Sequence, residues 1–300
     1  MSHRELERVL GDDLASLVRA LDVPVAAATP LSGVGYPGYQ PNSFRLLFAD
    51  GRLLKGRTSS AARAARIEYV SQHLEHPGFP RVLARTGRAL LTEWVEGDAF
   101  DAARGDADLL RQCGVLQGYL HSVPLPDDSP YSASDAIEHR RGTLRRQLDQ
   151  LLESRVLEHD EGRRIAACAA RHAPIRFAVG FVHGDFSAEN VVLRPSGQVS
   201  VVDNEALSID ALDFDLGRTW YRWPMTRAQR EAYFDGYGRY RNSADFVAHF
   251  PYWGIVALVG AAAFRSRPPG GDAAVPVRRL RGLLHDLEEG VPGTVAVFRS

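Results

Sequence analysis

Three oxygen-bearing side chains, Asp185, Asn190 and Asp203, and one ammonium, Lys55, are the groups of this chain whose types and spacing point most directly to chemistry. His183-Gly184-Asp185-Phe186-Ser187-Ala188-Glu189-Asn190 reads as a polar loop after an apolar strand. It leads through Val191-Val192-Leu193 and a turn at Pro195-Ser196-Gly197 to Val201-Val202-Asp203-Asn204-Glu205. Asp185 and Asn190 lie five positions apart and can converge from a tight loop, while Asp203, at the end of the second short strand, can face the same point. A carboxylate and an amide oxygen are hard ligands suited to Mg²⁺. A second carboxylate close by can hold a hydroxyl ready for transfer. Lys55 stands out by composition: of 36 basic residues, 35 are arginine and this is the single lysine. Lysine is a compact point charge on a thin stem where arginine is a wide planar fork, so one lysine kept in such a chain marks a place the fork would not serve, or one that drift spared by accident.

The elements that must position these groups follow from periodicity. Leucine, valine and alanine at helical spacing predict a helix over 4–21, and 25–57 reads as strands broken by glycine and proline. Asp50-Gly51 between alternating runs predicts a hairpin whose second strand carries Lys55. Ser59 or Ser60 can cap a helix running to about Leu74. Two strands near 81–86 and 89–95 complete a small sheet, with Glu96-Gly97-Asp98 as a hinge. Beyond it the pattern predicts helices at about 106–122, 134–154, 158–172, 212–222, 226–238, 244–266 and 276–289, with short apolar runs at 177–182, 191–193 and 199–202. A strand-rich first third and a helical remainder predict an α+β chain with two lobes, 1–97 and 98–300, and a cleft between lobes is a favoured ligand site.

Bulk properties exclude several classes. A hydrophobic content of 45% and a charged content of 24% are those of a globular protein. A net charge of −1 offers no large positive field, which argues against nucleic acid as the main partner. The charged segment Met1–Arg8 lacks the apolar core of a signal peptide. The longest apolar run, Trp253–Phe264, is short of the roughly 20 residues a membrane span needs. A cytoplasmic protein with no membrane partner is expected. Cys113 and Cys168 form no metal-ligand cluster and read as buried reduced thiols.

HGDFSAEN followed by VVDNE resembles the aminoglycoside phosphotransferase family, whose pattern is H-G-D-x-x-x-x-N and then an I/V-D-x-E segment. The resemblance extends over about residues 25–240. It implies a bilobal protein-kinase-like fold, with a small N-terminal β-sheet lobe bearing one main helix and a larger, mostly helical C-terminal lobe. It implies transfer of the γ-phosphoryl of ATP or GTP, with Mg²⁺, to a small-molecule hydroxyl. By that resemblance Asp185 is the catalytic aspartate, Asn190 and Asp203 bind Mg²⁺, and Lys55 contacts the α- and β-phosphates. Glu68 matches the partner of Lys55, with Glu75 a competitor. Leu91-Thr92-Glu93-Trp94-Val95 resembles the interlobe hinge, where the backbone of Glu93 and Val95 would meet the base. Asp215 resembles the aspartate that braces the catalytic loop, with Asp213 as the alternative. The phosphate loop falls either at Gly33–Gly38 or, counting back from Lys55, at Gly38–Ser43, which would place backbone N–H groups and the Ser43 hydroxyl over the phosphates.

Several positions stay open at this level. His183 reads as a structural hydrogen-bonding residue. Glu205 either supports the metal or braces Asn204, which stands where the family often has an aromatic. Trp220, Tyr221 and Trp223 fit core packing or an acceptor pocket. Glu189, Glu205, Asp210 and Asp286 can receive a cationic amino sugar or are surface charge. The nine residues between Asp203 and Asp213 leave little room for a peptide-docking activation segment, and no A-P-E sequence follows, so a protein kinase is disfavoured. An antibiotic-like or amino-sugar acceptor is expected. Choline- or homoserine-kinase-like activity and a non-catalytic nucleotide-binding module are the alternatives.

Overall fold

The computed structural model describes residues 1–31, 41–101, 106–267 and 272–290. In chain order the first part holds α1 (His3–Leu10), α2 (Asp12–Arg19), β1 (Val25–Pro30), β2 (Ser43–Phe48), β3 (Leu53–Thr58), α3 (Ala61–Gln72), β4 (Val82–Thr86), β5 (Ala89–Glu93) and β6 (Asp98–Ala99). Then come α4 (Ala107–Ser122), α5 (Ala133–Glu153), α6 (His159–His172), β7 (Val179–Val182), β8 (Val191–Leu193), β9 (Val199–Val201) and β10 (Ser208–Ala211). The chain continues with α7 (Leu212–Arg222), α8 (Arg227–Tyr237), α9 (Ala244–Ala248), α10 (Phe250–Arg265) and α11 (Ala274–Glu288). These elements form two compact units, Met1–Ala99 with Val191–Ser208, and Phe100–Asn190 with Ile209–Ser300.

The first unit is built on an antiparallel sheet in the order β1-β2-β3-β5-β4. In β2 the inward positions Phe44, Leu46 and Phe48 are buried and join Leu6, Leu10, Leu14, Val18 and Leu91 in one apolar cluster. Fully burying a side chain of this size contributes roughly 1.5–3 kcal/mol. The Asp50-Gly51 turn forms as expected: Gly51 takes φ +84° and Asp50 accepts from the Arg52 N–H at 3.1 Å. Ser60 is the cap of α3, its hydroxyl accepting from the Arg63 N–H. The expected helix 4–21 is two helices, because Gly11 takes φ +73° and ends the first, which opens on a Ser2–Glu5 capping box. A three-stranded sheet, β6-β8-β9, belongs to the same unit. At Gly97, with φ +150°, a Cβ would lie 2.2 Å from the Leu193 carbonyl oxygen, so only glycine lets the backbone pass there.

In the second unit α10 is buried on nearly every side from Phe250 to Val259. It is the hub against which α5, α6, α7 and α11 pack. The predicted helix 244–266 is interrupted at His249 (φ −109°, ψ 17°), and Pro251 then occupies the first turn of α10, where its missing N–H is harmless. Helices α4 and α8 cross so closely that a Cβ at Gly114 would meet the Tyr233 carbonyl oxygen at 1.9 Å. Cys113 is buried and free, its thiol pushed well above the ordinary value by burial. Strand β10, not foreseen in the sequence, pairs with β7. The Leu212 N–H donates to the Ala178 carbonyl, so the start of α7 is tied beside the strand that feeds the 183–190 loop.

Candidate active site

The polar loop leaves β7 at Val182 with Gly184 at φ +75° and closes in a single 3₁₀ turn, Ala188–Asn190. Asp215 of α7 holds it from inside. This carboxylate is wholly buried and accepts the backbone N–H groups of His183 (3.1 Å) and Gly184 (2.8 Å) and the Gln117 side-chain amide (3.0 Å). The imidazole of His121 adds a fourth contact at 3.1 Å. Burial alone would raise the Asp215 carboxyl; the hydrogen bond and charge of His121, with His183 and Gln117, outweigh it and hold the group down to about 2. A network with every member partnered fixes one backbone conformation. His183 is buried too, and its Nδ1 accepts from the Asp185 N–H at 3.3 Å, a structural role as the sequence suggested.

Asp185 is thereby carried on a rigid loop with its side chain half-buried. The Asn190 amide donates to the Asp185 carbonyl at 2.9 Å and to Oδ2 at 3.3 Å, so these two predicted residues do meet. Two arginines of α7, which sequence reasoning missed, reach the other carboxylate oxygen. Arg218 Nη2 donates to Oδ1 at 3.1 Å and Arg222 Nη1 lies 3.3 Å from it. Arg222 also donates to Glu189 at 2.7 Å. Their signal was present in the sequence: Asp215, Arg218 and Arg222 stand at i, i+3 and i+7, one face of a helix.

A second constellation lies in the unit that contains β3. Lys55 Nζ donates to Asp203 Oδ1 at 2.8 Å. Arg57, two residues along the same strand face, contacts the same oxygen at 3.4 Å and also pairs with Glu205. Asp203 itself takes the left-handed conformation, φ 60° and ψ 47°, before the turn Asn204–Ala206. A non-glycine residue held there is uncommon, aspartate being one of those that tolerate it best; Asp22 and Arg155 also take a positive φ. Glu205 thus partners Arg57, and Arg57 is a third residue that the sequence reading passed over, although alternation from Lys55 placed it on the same face.

The model of the phosphotransferase enzyme family matches residues 44–247, more than half of the chain. The chain belongs to this family. Solved structures agree at the level of fold. Choline kinase LicA from Streptococcus pneumoniae superposes with a TM-score of 0.65 at 12% identity, covering 95% of this chain and 100% of that one. An aminoglycoside phosphotransferase from Alicyclobacillus acidocaldarius gives 0.60 at 19% identity, with 93% and 96% covered. Aminoglycoside phosphotransferase APH(2'')-Ib, in an ADP-bound structure, gives 0.59 at 17% identity, with 90% and 96% covered. No curated protein sequence matches significantly. The α+β, protein-kinase-like fold expected from the sequence is therefore the fold of this phosphotransferase. Among the described residues, no helix is long and apolar enough to cross a membrane.

The other expected site residues of the phosphotransferase fall as follows. Glu68, expected to order Lys55, instead pairs with Arg85 of β4 at 2.6 Å, while the Lys55 ammonium is taken by Asp203. The reason is packing: α3 lies against β4, which brings Arg85 to the carboxylate. Glu75 lies past the end of α3. Glu93 closes β5 and pairs with Arg81 at 2.7 Å. Burial would raise its carboxyl, and the Arg81 bonds outweigh that and lower it. Val95 follows in the half-buried stretch after β5. Ser43 opens β2 opposite Arg57, on the face that carries Lys55, with its hydroxyl buried. Gly38 and the Gly33–Gly38 alternative lie outside the described residues. Trp223 is buried, as core packing requires.

Proposed function

We propose that this chain transfers the γ-phosphoryl group of ATP or GTP to a hydroxyl of a small molecule. The observation that carries the reading is the locked loop: Asp215 fixes the backbone of His183 and Gly184, so Asp185 is presented at one position without reorganisation. Such preorganisation is what phosphoryl transfer asks of a protein, since its loose transition state leaves positioning and electrostatics to do most of the acceleration. In the proposed step Asp185 accepts a hydrogen bond from the acceptor hydroxyl. The hydroxyl oxygen forms its bond to Pγ, the bond from Pγ to the β–γ bridging oxygen breaks, ADP or GDP leaves, and the hydroxyl proton passes to Asp185 and on to water. An ordinary carboxylate is a weak base at neutral pH, so orientation is its main task.

Lys55 and Arg57 bring two cations to one strand face, and we assign them to the phosphates of the nucleotide. The family implies a divalent cation, and the residues fit one. Asp203 has its Oδ2 to spare, because Lys55 and Arg57 both engage Oδ1. Asn190 spends its NH₂ group on Asp185, which leaves the amide oxygen. Among the described residues no cluster of three or more histidine, cysteine or acidic side chains is ready to cage a metal. Mg²⁺ favours one or two protein oxygens and completes its shell with phosphates and water. Asn190 and Asp203 would hold it, and when bound it would neutralise charge on the β- and γ-phosphates. The Lys55–Asp203 pair must then loosen as nucleotide enters, so part of the binding energy goes to exchanging one partner for another.

The test is Asp185→Ala. ADP release on the best acceptor should fall by at least about 1,000-fold, as losses of an orienting base do, while Mg-nucleotide affinity measured by titration calorimetry stays within threefold. Retained turnover would remove Asp185 from the chemistry. Mg-nucleotide binding by the wild type with no turnover of any acceptor would instead favour a non-catalytic module.

A further inference from the structure

We infer that the acceptor carries an anionic group, a carboxylate or a phosphate ester, received by Arg218 and Arg222 beside its reacting hydroxyl. The inference rests on the phosphotransfer reading above and names the substrate class of that same site.

Four observations converge. First, the group that meets the hydroxyl is walled by cation: Asp185 Oδ1 has two guanidiniums within 3.3 Å, both from α7. Arginine as such means little in a chain with one lysine, but position does, and one guanidinium would suffice to hold a carboxylate rotamer. Second, Arg222 is only lightly committed elsewhere. Its other partner, Glu189, is 78% exposed, and a pair so exposed to solvent contributes at most about 1 kcal/mol. The Glu189 carboxylate therefore occupies a position that a ligand carboxylate or phosphate can take over, leaving Glu189 to water. Third, Arg218 Nε is buried without a hydrogen-bond partner among the described residues. An orphaned guanidinium donor is costly until an acceptor atom reaches it. Phe214 lies under Arg140 at 3.5 Å and at the outer limit of contact, 6.0 Å, from Arg218. Fourth, Asp210, one of the acids that a cationic amino sugar would need, is spent. Asp210 holds Arg140 in a largely buried pair. A planar fork that can grip two oxygens at once is the side chain best suited to a carboxylate or phosphate.

The experiment is a charge-matched panel of hydroxyl compounds with Mg-ATP: hydroxycarboxylates, hydroxyl-bearing phosphate monoesters, neutral polyols, and the cationic set of amino sugars, choline and ethanolamine. Release of ADP and the mass of one added phosphate are the readouts. Anionic compounds should lead by tenfold or more in kcat/KM, and the first two arms decide between carboxylate and phosphate. On the best substrate, Arg222→Gln and Arg218→Gln should each raise the acceptor KM about 30-fold, with the nucleotide KM unchanged within twofold. Arg222→Lys should recover part of the loss, and thermal melts should match the wild type. Preference for cationic or neutral compounds overturns the inference. So does a fall in kcat that is equal for every acceptor at constant acceptor KM, which would put the guanidiniums on the transferring phosphoryl. Mg-ATP binding with no product in any arm sinks the phosphotransfer reading and the acceptor class with it.

Discussion

The two polar constellations are held by different physics. Around Lys55 the contacts are side chain to side chain: an ammonium and a guanidinium share one carboxylate oxygen, and Glu205 anchors the guanidinium. Around Asp185 the decisive contacts run from a buried carboxylate to backbone N–H groups. The partly exposed Lys55–Asp203 pair can exchange partners at small cost, and backbone donors in a dry site cannot. The two arrangements suit different tasks. On the proposed function, the charges for an arriving nucleotide are kept neutralised but exchangeable, whereas the group that would orient the acceptor is fixed before anything binds.

The largest expected effect is at the fixed end. Asp215→Asn keeps the shape but turns an NH₂ towards donors that need an acceptor, and it should destabilise the protein by about 3 kcal/mol or more in urea unfolding, with turnover lost. Its pH signature has a definite sign. Because the folded carboxyl is held down to about 2 from 3.8, its contribution is present above about pH 4 and disappears as pH falls through 2, so the gap between variant and wild type should close in acid. A loss below 1 kcal/mol would mean that the loop is not locked from Asp215. Two residues earlier in the same helix, Asp213 should behave in the opposite way. Burial, then the Asp245 charge, pushes it up to about 6. The folded state therefore favours the neutral carboxyl, and its penalty grows as pH rises from 3.8 to 6 and is complete above. Asp213→Asn should stabilise the protein by up to about 2–3 kcal/mol at pH 7–8 and give no gain below pH 4. A gain independent of pH would show that the effect is not ionisation.

How much of this was legible in the sequence depends on how local each feature is. The hairpin at Asp50-Gly51, the cap at Ser60 and the 183–190 loop are written in adjacent residues, and each formed where the pattern placed it. Asp215 as the brace was legible through resemblance, and its four partners then gave the physical reason. Gly11 and His249 broke helices that periodicity ran together, because a 3.6-residue pattern continues across a single non-helical residue. Arg57, Arg218 and Arg222 were lost in a background of 35 arginines, where no single one draws notice. Which carboxylate each finds depends on pairings far apart in sequence.

The smallest expected effect is at Glu68. If the constellation around Lys55 is exchangeable, its resting partner need not be its working partner. At rest Lys55 sits on Asp203 and Glu68 on Arg85, a pair with both side chains about a quarter exposed. Glu68→Gln should therefore cost no more than about 0.5–1 kcal/mol in stability. If Lys55 keeps Asp203 or moves directly to phosphate, Mg-ATP affinity in the variant should stay within about twofold. A loss of tenfold or more, about 1.4 kcal/mol, with the fold intact would require Glu68 to leave Arg85 for Lys55 once nucleotide is bound. Arg85→Ala separates the two cases further. It frees Glu68 without removing it, so under partner exchange nucleotide should bind more tightly, and under the resting pairing its affinity should not change.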